Sequence, residues 1–142
     1  MERNEFIKSL GLGFALACTG SCLTACGGKE DEATPPTETG TKVSIDLSQL
    51  STVGVGVTSG NVKFFRIATG DTPASFLAIQ EKCPHQGGAL NWVNNQIQCA
   101  WHRAQFNING AVVAQPNGGG SVSALKVYPV AINGTTLTAT VA

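Results

Sequence analysis

Cys83, His85, Cys99 and His102 fall into two short boxes, Cys-Pro-His-Gln-Gly-Gly and Cys-Ala-Trp-His, each supplying one thiol and one imidazole. Thirteen residues separate His85 from Cys99, and these two histidines are the only ones in the chain. Donors paired in this way suit a two-iron, two-sulfur centre in which two Cys hold one iron and two His the other. Imidazoles in place of two thiolates remove two negative charges from such a centre, so an added electron is accommodated at a higher potential. The far ring nitrogen of a ligating imidazole stays free, and reduction of the iron raises its proton affinity, so electron and proton uptake can be coupled. The rival chemistry is structural zinc, which two Cys and two His can also enclose. Spacing argues against zinc: its fingers place about two to four residues between paired cysteines, whereas only Pro84 separates Cys83 from His85.

The pattern Cys-x-His, thirteen residues, Cys-x-x-His resembles the Rieske family. That resemblance implies one [2Fe-2S] cluster per subunit, with Cys83, His85, Cys99 and His102 as its ligands. It also implies that the boxes sit on two loops at one tip of the fold, each loop giving one Cys and one His. Gly87, Gly88 and the small Ala89 would let the first loop approach the inorganic sulfides, amides facing them. Residues 116–121 (Pro-Asn-Gly-Gly-Gly-Ser) lie where family members carry a proline-containing loop over the cluster. By composition alone they are also an ordinary surface turn.

The other three cysteines belong to the N-terminus. Seventeen uncharged residues, 9–25, follow a segment with Arg3 and Lys8 and precede the charged run 29–32, as in a signal peptide. The stretch is rich in Gly, Ser and Thr, and a membrane-spanning helix needs about 20 predominantly apolar residues. Leu23-Thr24-Ala25-Cys26 resembles a bacterial lipobox, which makes Cys26 the expected lipidation site. Cys18 and Cys22 read as small apolar residues of a segment that is cleaved away. Arg3-Asn4-Glu5-Phe6-Ile7-Lys8 resembles a twin-arginine export signal, with Asn4 in place of the second Arg. Cys83 and Cys99 are then the cysteines left, both assigned to the cluster, and no intramolecular disulfide remains.

The expected organisation is a signal peptide over 1–25, a lipidated Cys and flexible tether over 26–41, and a Rieske [2Fe-2S] domain over 42–142. The tether is Gly-, Thr-, Pro- and acid-rich with almost nothing to bury. Past the signal there are seven basic and seven acidic residues, a balance that points neither to nucleic acid nor to a polybasic membrane contact. Residues 43–47, 62–67, 76–79 and 125–128 read as strands, being rich in β-branched and aromatic side chains. Asn109-Gly110 and Asn133-Gly134 are hairpin signals, the second between residues 130–132 and 136–141. No stretch after Cys26 argues for a long helix. The predicted class is all-β, a small sandwich or barrel with a cluster-binding subdomain formed by two loops.

In the family's high-potential branch each box carries an extra Cys, and the two form a disulfide; those positions are Gly88 and Trp101 here. A Ser and a Tyr that donate to sulfur in that branch are matched by Ala104 and Phe106. Hydrogen bonds to sulfur stabilise the more negative reduced state, so the resemblance implies a potential toward the lower end of the approximate −150 to +300 mV range. Arg103 stands where the family usually has Gly, and nothing in the sequence accounts for it. Trp101 and Phe106 read either as shields of the cluster or as core aromatics, and Trp92 as packing.

These readings predict one-electron transfer by an exported, lipid-anchored redox protein of the bacterial cell envelope. Its expected partners are redox proteins, with the membrane reached through the anchor, no small-molecule substrate and no catalytic residues. The alternatives are the electron-input subunit of a separately encoded oxidoreductase, and a structural zinc-binding or surface module.

Overall fold

Residues 76–79, Phe-Leu-Ala-Ile, form a continuous apolar run, as expected of a strand buried on both faces. The computed structural model, which describes residues 39–142, places this run in the middle layer of three. The segment expected to be a signal peptide, the expected lipidation site Cys26 and most of the expected tether lie outside the described residues.

Eleven strands are present among the described residues: β1 Thr41–Asp46, β2 Gly56–Ser59, β3 Val62–Arg66, β4 Phe76–Gln80, β5 Leu90–Val93, β6 Gln96–Cys99, β7 Gln105–Phe106, β8 Val112–Ala114, β9 Val127–Tyr128, β10 Val130–Asn133 and β11 Thr136–Val141. They form three antiparallel sheets in the orders β1-β11-β10, β2-β3-β4-β9 and β5-β6-β7-β8. Successive side chains of a strand point to opposite faces, and β3 and β4 use both. Val62, Phe64, Phe76 and Ala78 pack with Ile45, Leu50, Leu137 and Ala139 in one core. Phe65, Leu77 and Ile79 pack with Leu90, Ile97, Phe106, Cys83 and Cys99 in the other. The all-β class and the two-loop subdomain therefore hold, with the predicted sandwich extended by a third sheet.

Helix is confined among the described residues to two short 3-10 segments, Leu47–Leu50 and Pro73–Ser75. Asp46 caps the first by accepting from the Ser48 amide at 2.8 Å, and Leu50 closes it as a fully buried anchor. No helix of the described residues is long and apolar enough to cross a membrane. Arg66 donates to Asp71 and to the Gly70 carbonyl and lies over the Phe76 ring, which ties down the loop after β3.

Two turn signals are displaced from their predicted places. The last hairpin turns on Gly134 and Thr135, because Asn133 still pairs with Thr136; Gly134 takes the positive φ (+58°) at the first central position. Between β7 and β8 the turn starts at Asn107, whose side-chain oxygen accepts from the amides of Asn109 and Ala111. The strand predicted over 125–128 shortens to β9, since the Leu125 amide bonds the Gly110 carbonyl and the Lys126 amide bonds the Gln80 side chain.

Candidate metal centre

The thirteen residues between the boxes are largely one hairpin. β5 and β6 pair with Leu90 opposite Cys99 and turn on Asn94 and Asn95, whose φ angles of 49° and 61° are both positive. Two consecutive residues of that kind make a tight turn whose twist matches the strands, and Asn tolerates it better than most residues. The hairpin thus returns the chain to where it left, and the two boxes face each other as loops 83–88 and 99–104.

Each loop is closed by the same pair of backbone bonds. In the first, the Cys83 amide donates to the Gly88 carbonyl (2.9 Å) and the Gly87 amide to the Cys83 carbonyl (2.9 Å). In the second, the Cys99 amide donates to the Ala104 carbonyl (2.9 Å) and the Arg103 amide to the Cys99 carbonyl (3.1 Å). Gly87 and Arg103 occupy equivalent places and share a left-handed backbone, φ +80° and +58°. This explains the Gly usual at Arg103 and makes the Arg a strained exception. The Gly87 amide, expected to face the cluster sulfides, is instead spent inside its own loop.

Left-handed backbone costs a non-Gly residue about 1–2 kcal/mol, and the extra freedom of Gly in the unfolded chain returns about 0.4–1 kcal/mol of that. Arg103→Gly should therefore stabilise the fold by about 0.5 kcal/mol, read as a small rise in the thermal midpoint. A fall would mean that the exposed guanidinium holds the loop.

The loops bring the four predicted residues together. Cys83 and Cys99 are free thiols, each 2% exposed, and both belong to the core that includes Phe106 and Ala104. Burial pushes the Cys83 thiol above its ordinary pKa and the neighbouring Cys99 pushes it further, against the amides of His85 and Gln86, which donate to the sulfur. The rings of His85 and His102 meet edge to face with centroids 4.9 Å apart. Their Nδ1 atoms are buried with no hydrogen-bond partner, the only side-chain nitrogens or oxygens among the described residues in that state. Cys83 and Cys99 neighbour each other, as the rings of His85 and His102 do.

Three further contacts shape the site. Gly88 is buried, and a Cβ built on it would lie 2.8 Å from the Cys99 sulfur and 2.9 Å from Cγ of Trp101. Residues 116–121 lie against both histidines: the Asn117 amide donates to the His102 carbonyl (2.7 Å), and a Cβ on Gly120 would come 3.0 Å from His85 Nε2. Gly118, Gly119 and Gly120 all have positive φ, which lets the strip bend over the rings. Trp101 is 61% exposed and is no core residue, Phe106 is fully buried, and Trp92 packs beside Phe65 with centroids 6.3 Å apart. The Asn117 and Gly120 contacts were missed as individual residues, although the Pro and Gly composition marked the segment.

A three-layered β domain whose tip presents two thiols and two imidazoles on paired loops is an iron-sulfur type of redox module. The chain belongs to the Rieske family, whose Rieske [2Fe-2S] domain profile matches residues 42–129. No curated protein matches its sequence. Among solved structures it is similar to apo dicamba monooxygenase, at 22% identity over 72% of this chain and 34% of that one, TM-score 0.53. It is similar to a chain of the complex of reduced oxygenase and oxidized ferredoxin in carbazole 1,9a-dioxygenase, at 17% identity over 72% of this chain and 94% of that one, TM-score 0.52. The cyanobacterial plasma membrane Rieske protein PetC3 from Synechocystis PCC 6803 matches at 21% identity over 61% of this chain and 84% of that one, TM-score 0.46. The chain spans about a third of the length of the monooxygenase it matches. At such identities the likeness shows the fold, and the Rieske domain implies a [2Fe-2S] cluster and electron transfer.

Proposed function

We propose that this chain is an exported, lipid-anchored one-electron carrier in which Cys83 and Cys99 hold one iron of a single [2Fe-2S] cluster, and His85 and His102 the other. The observation that carries the ligand assignment is the pair of buried, unpartnered Nδ1 atoms on these two histidines. A buried polar atom left without a partner costs about 1–3 kcal/mol, a cost that metal ligation removes. Separate sulfur and nitrogen pairs suit two irons better than one tetrahedral zinc. When bound, the cluster supplies reversible uptake of one electron.

The chain's own residues would hold, shield and tune. Ligation through Nδ1 leaves Nε2 of each ring to carry a proton, with Gly120 against that of His85. Phe106, Ala104, Leu90 and Ile97 keep water from the cysteine side. Gly88 and Trp101, which stand where high-potential relatives carry a disulfide, lie so close across the two loops that a Cβ on Gly88 would come 2.9 Å from Cγ of Trp101. Ala104 is fully buried in the core that holds both cysteines. Ala104→Ser should therefore raise the midpoint potential by roughly 40 mV, the equivalent of a hydrogen bond about 1 kcal/mol stronger in the reduced state. Voltammetry showing no shift would remove the hydrogen-bond account of the low potential.

The anchor rests on Leu23-Thr24-Ala25-Cys26, and residues 26–41 serve as the tether that keeps the carrier concentrated near membrane partners. Growth with a labelled lipid precursor should label the protein and leave Cys26→Ser unlabelled; label retained in the variant would mean another cysteine is the anchor. Purified from native membranes, the carrier should run as a free monomer. A stoichiometric large partner would instead make it the electron-input subunit of an oxidoreductase.

A further inference from the structure

Charge is balanced over the whole chain but not along it. The described residues carry six basic and three acidic side chains, while the segment before them is correspondingly acidic. Two of the three acids are occupied: Asp71 pairs with Arg66, and Asp46 caps the first 3-10 segment. That leaves Glu81 as the one acid facing the basic side chains near the metal centre.

Those basic side chains converge at the cluster end. Lys63, Lys82 and Glu81 line a depression of about 300 Å³ whose far wall is Gly87 of the first loop and Trp101 of the second. Glu81 and Lys82 also line the adjoining depression of about 320 Å³, which adds Lys126 and Tyr128. The two depressions meet at Glu81 and Lys82 and between them present three lysines against one glutamate. Lys82 and Lys126 are exposed, and no ion pair within 4 Å engages either among the described residues. The Lys63 ammonium lies over the Phe65 ring, 5.6 Å from its centroid, and Lys63 lines the depression beside Trp101. At the cluster end the 61%-exposed Trp101 is a large apolar surface between two ligand residues, with no burial in this chain to explain it.

We infer that this pair of depressions is the docking surface for the acidic face of a redox protein. An acidic segment lies along Lys126, Lys82 and Lys63 while an apolar group covers Trp101, and the approach ends on both ligand loops. A concave seat bounded by an aromatic ring fits a protruding protein segment better than a flat lipid headgroup layer. Excess positive charge steers an acidic partner to a surface bounded by both Cys- and His-bearing loops. The purpose assigned here rests on the electron-carrier reading above; the charge pattern does not.

The test uses the full-length, cluster-loaded chain in a Trp92→Phe background, so that fluorescence reports Trp101 alone. Poly-L-glutamate is the acidic probe, titrated at low and at high salt. Saturable change in Trp101 emission is expected at low salt and should weaken at least tenfold at high salt. Lys82→Glu with Lys126→Glu should weaken low-salt binding at least tenfold, and Glu81→Gln should strengthen it, a gain that a damaged fold would not give. Absence of binding, indifference to these substitutions, or occupation of the surface by phosphatidylglycerol vesicles and not by the peptide would each overturn the proposal. The titration decides the docking surface even on protein purified without iron, whereas loss of reversible one-electron reduction alongside intact peptide binding would sink only the carrier reading.

Discussion

His85→Ala and His102→Ala should each yield full-length, folded protein that retains no acid-labile sulfide and gives no reduced-state paramagnetic signal. The expected loss is complete because, under the proposed ligation, removing either imidazole would leave one iron with a single protein ligand. The nitrogen lost in each case is a buried Nδ1 with no other partner, so the cluster-free variants need not be destabilised. Removing an unsatisfied buried atom returns about 1–3 kcal/mol, against a comparable charge for the space the ring leaves. Cluster content and thermal stability should therefore separate: the first falls to nothing while the cluster-free melting point stays within a few degrees of the cluster-free parent. Iron and sulfide analysis, with low-temperature paramagnetic resonance, measures the first. An unchanged signal in either variant would show the ligands to be misassigned, and tightly bound zinc in the parent would replace the two-iron reading.

Gly88→Ala should be nearly as damaging, for a steric reason. The added carbon would sit 2.8 Å from the Cys99 sulfur and 2.9 Å from Cγ of Trp101, separations that real side chains essentially never show. Trp101 is exposed and can swing aside; Cys99 cannot, since it is 2% exposed and its backbone is closed on Ala104 and Arg103. The sulfur must therefore move from the position it shares with Cys83. Overpacking of this kind costs about 1–3 kcal/mol, and cluster occupancy should fall at least tenfold. The double variant Gly88→Ala, Trp101→Ala separates the two contacts. No recovery of iron content is expected, and full recovery would shift the blame from the sulfur to the ring. Gly87→Ala is the contrasting case, since a Cβ there meets nothing within 4 Å and the cost is that of its positive φ alone.

The sequence picked out the four Cys and His residues that the structure gathers on paired loops, because their types and spacing leave few alternatives. Alternation and β-branching likewise exposed β1, β3, β4, β10 and β11, whose side chains fill a core on at least one face. The hairpin of β5 and β6 was not read, because its arms are short and carry Asn91 at an exposed position and Gln96 and Gln98 at half-buried ones. Asn94-Asn95 was the available signal, two adjacent residues that tolerate left-handed backbone. Arg103 shows the opposite limit: its departure from the usual Gly was visible, but the reason needed a backbone angle. Trp101 was undecided between shield and core because composition cannot tell which side of a loop an aromatic faces. The charge segregation was hidden by a balanced total.

The spacing between the boxes also acquires a different meaning. Because Leu90 stands opposite Cys99 and the Ala100 amide bonds the Ala89 carbonyl (2.8 Å), the mouth of the hairpin sets the separation of the loops, and its tip at Asn94 and Asn95 does not. An interval of thirteen residues is then one allowed size among several. Lengthening both arms by equal even numbers of residues keeps every inward side chain inward and leaves the two Cys- and His-bearing loops face to face, whereas a single inserted residue on one arm turns that arm inside out.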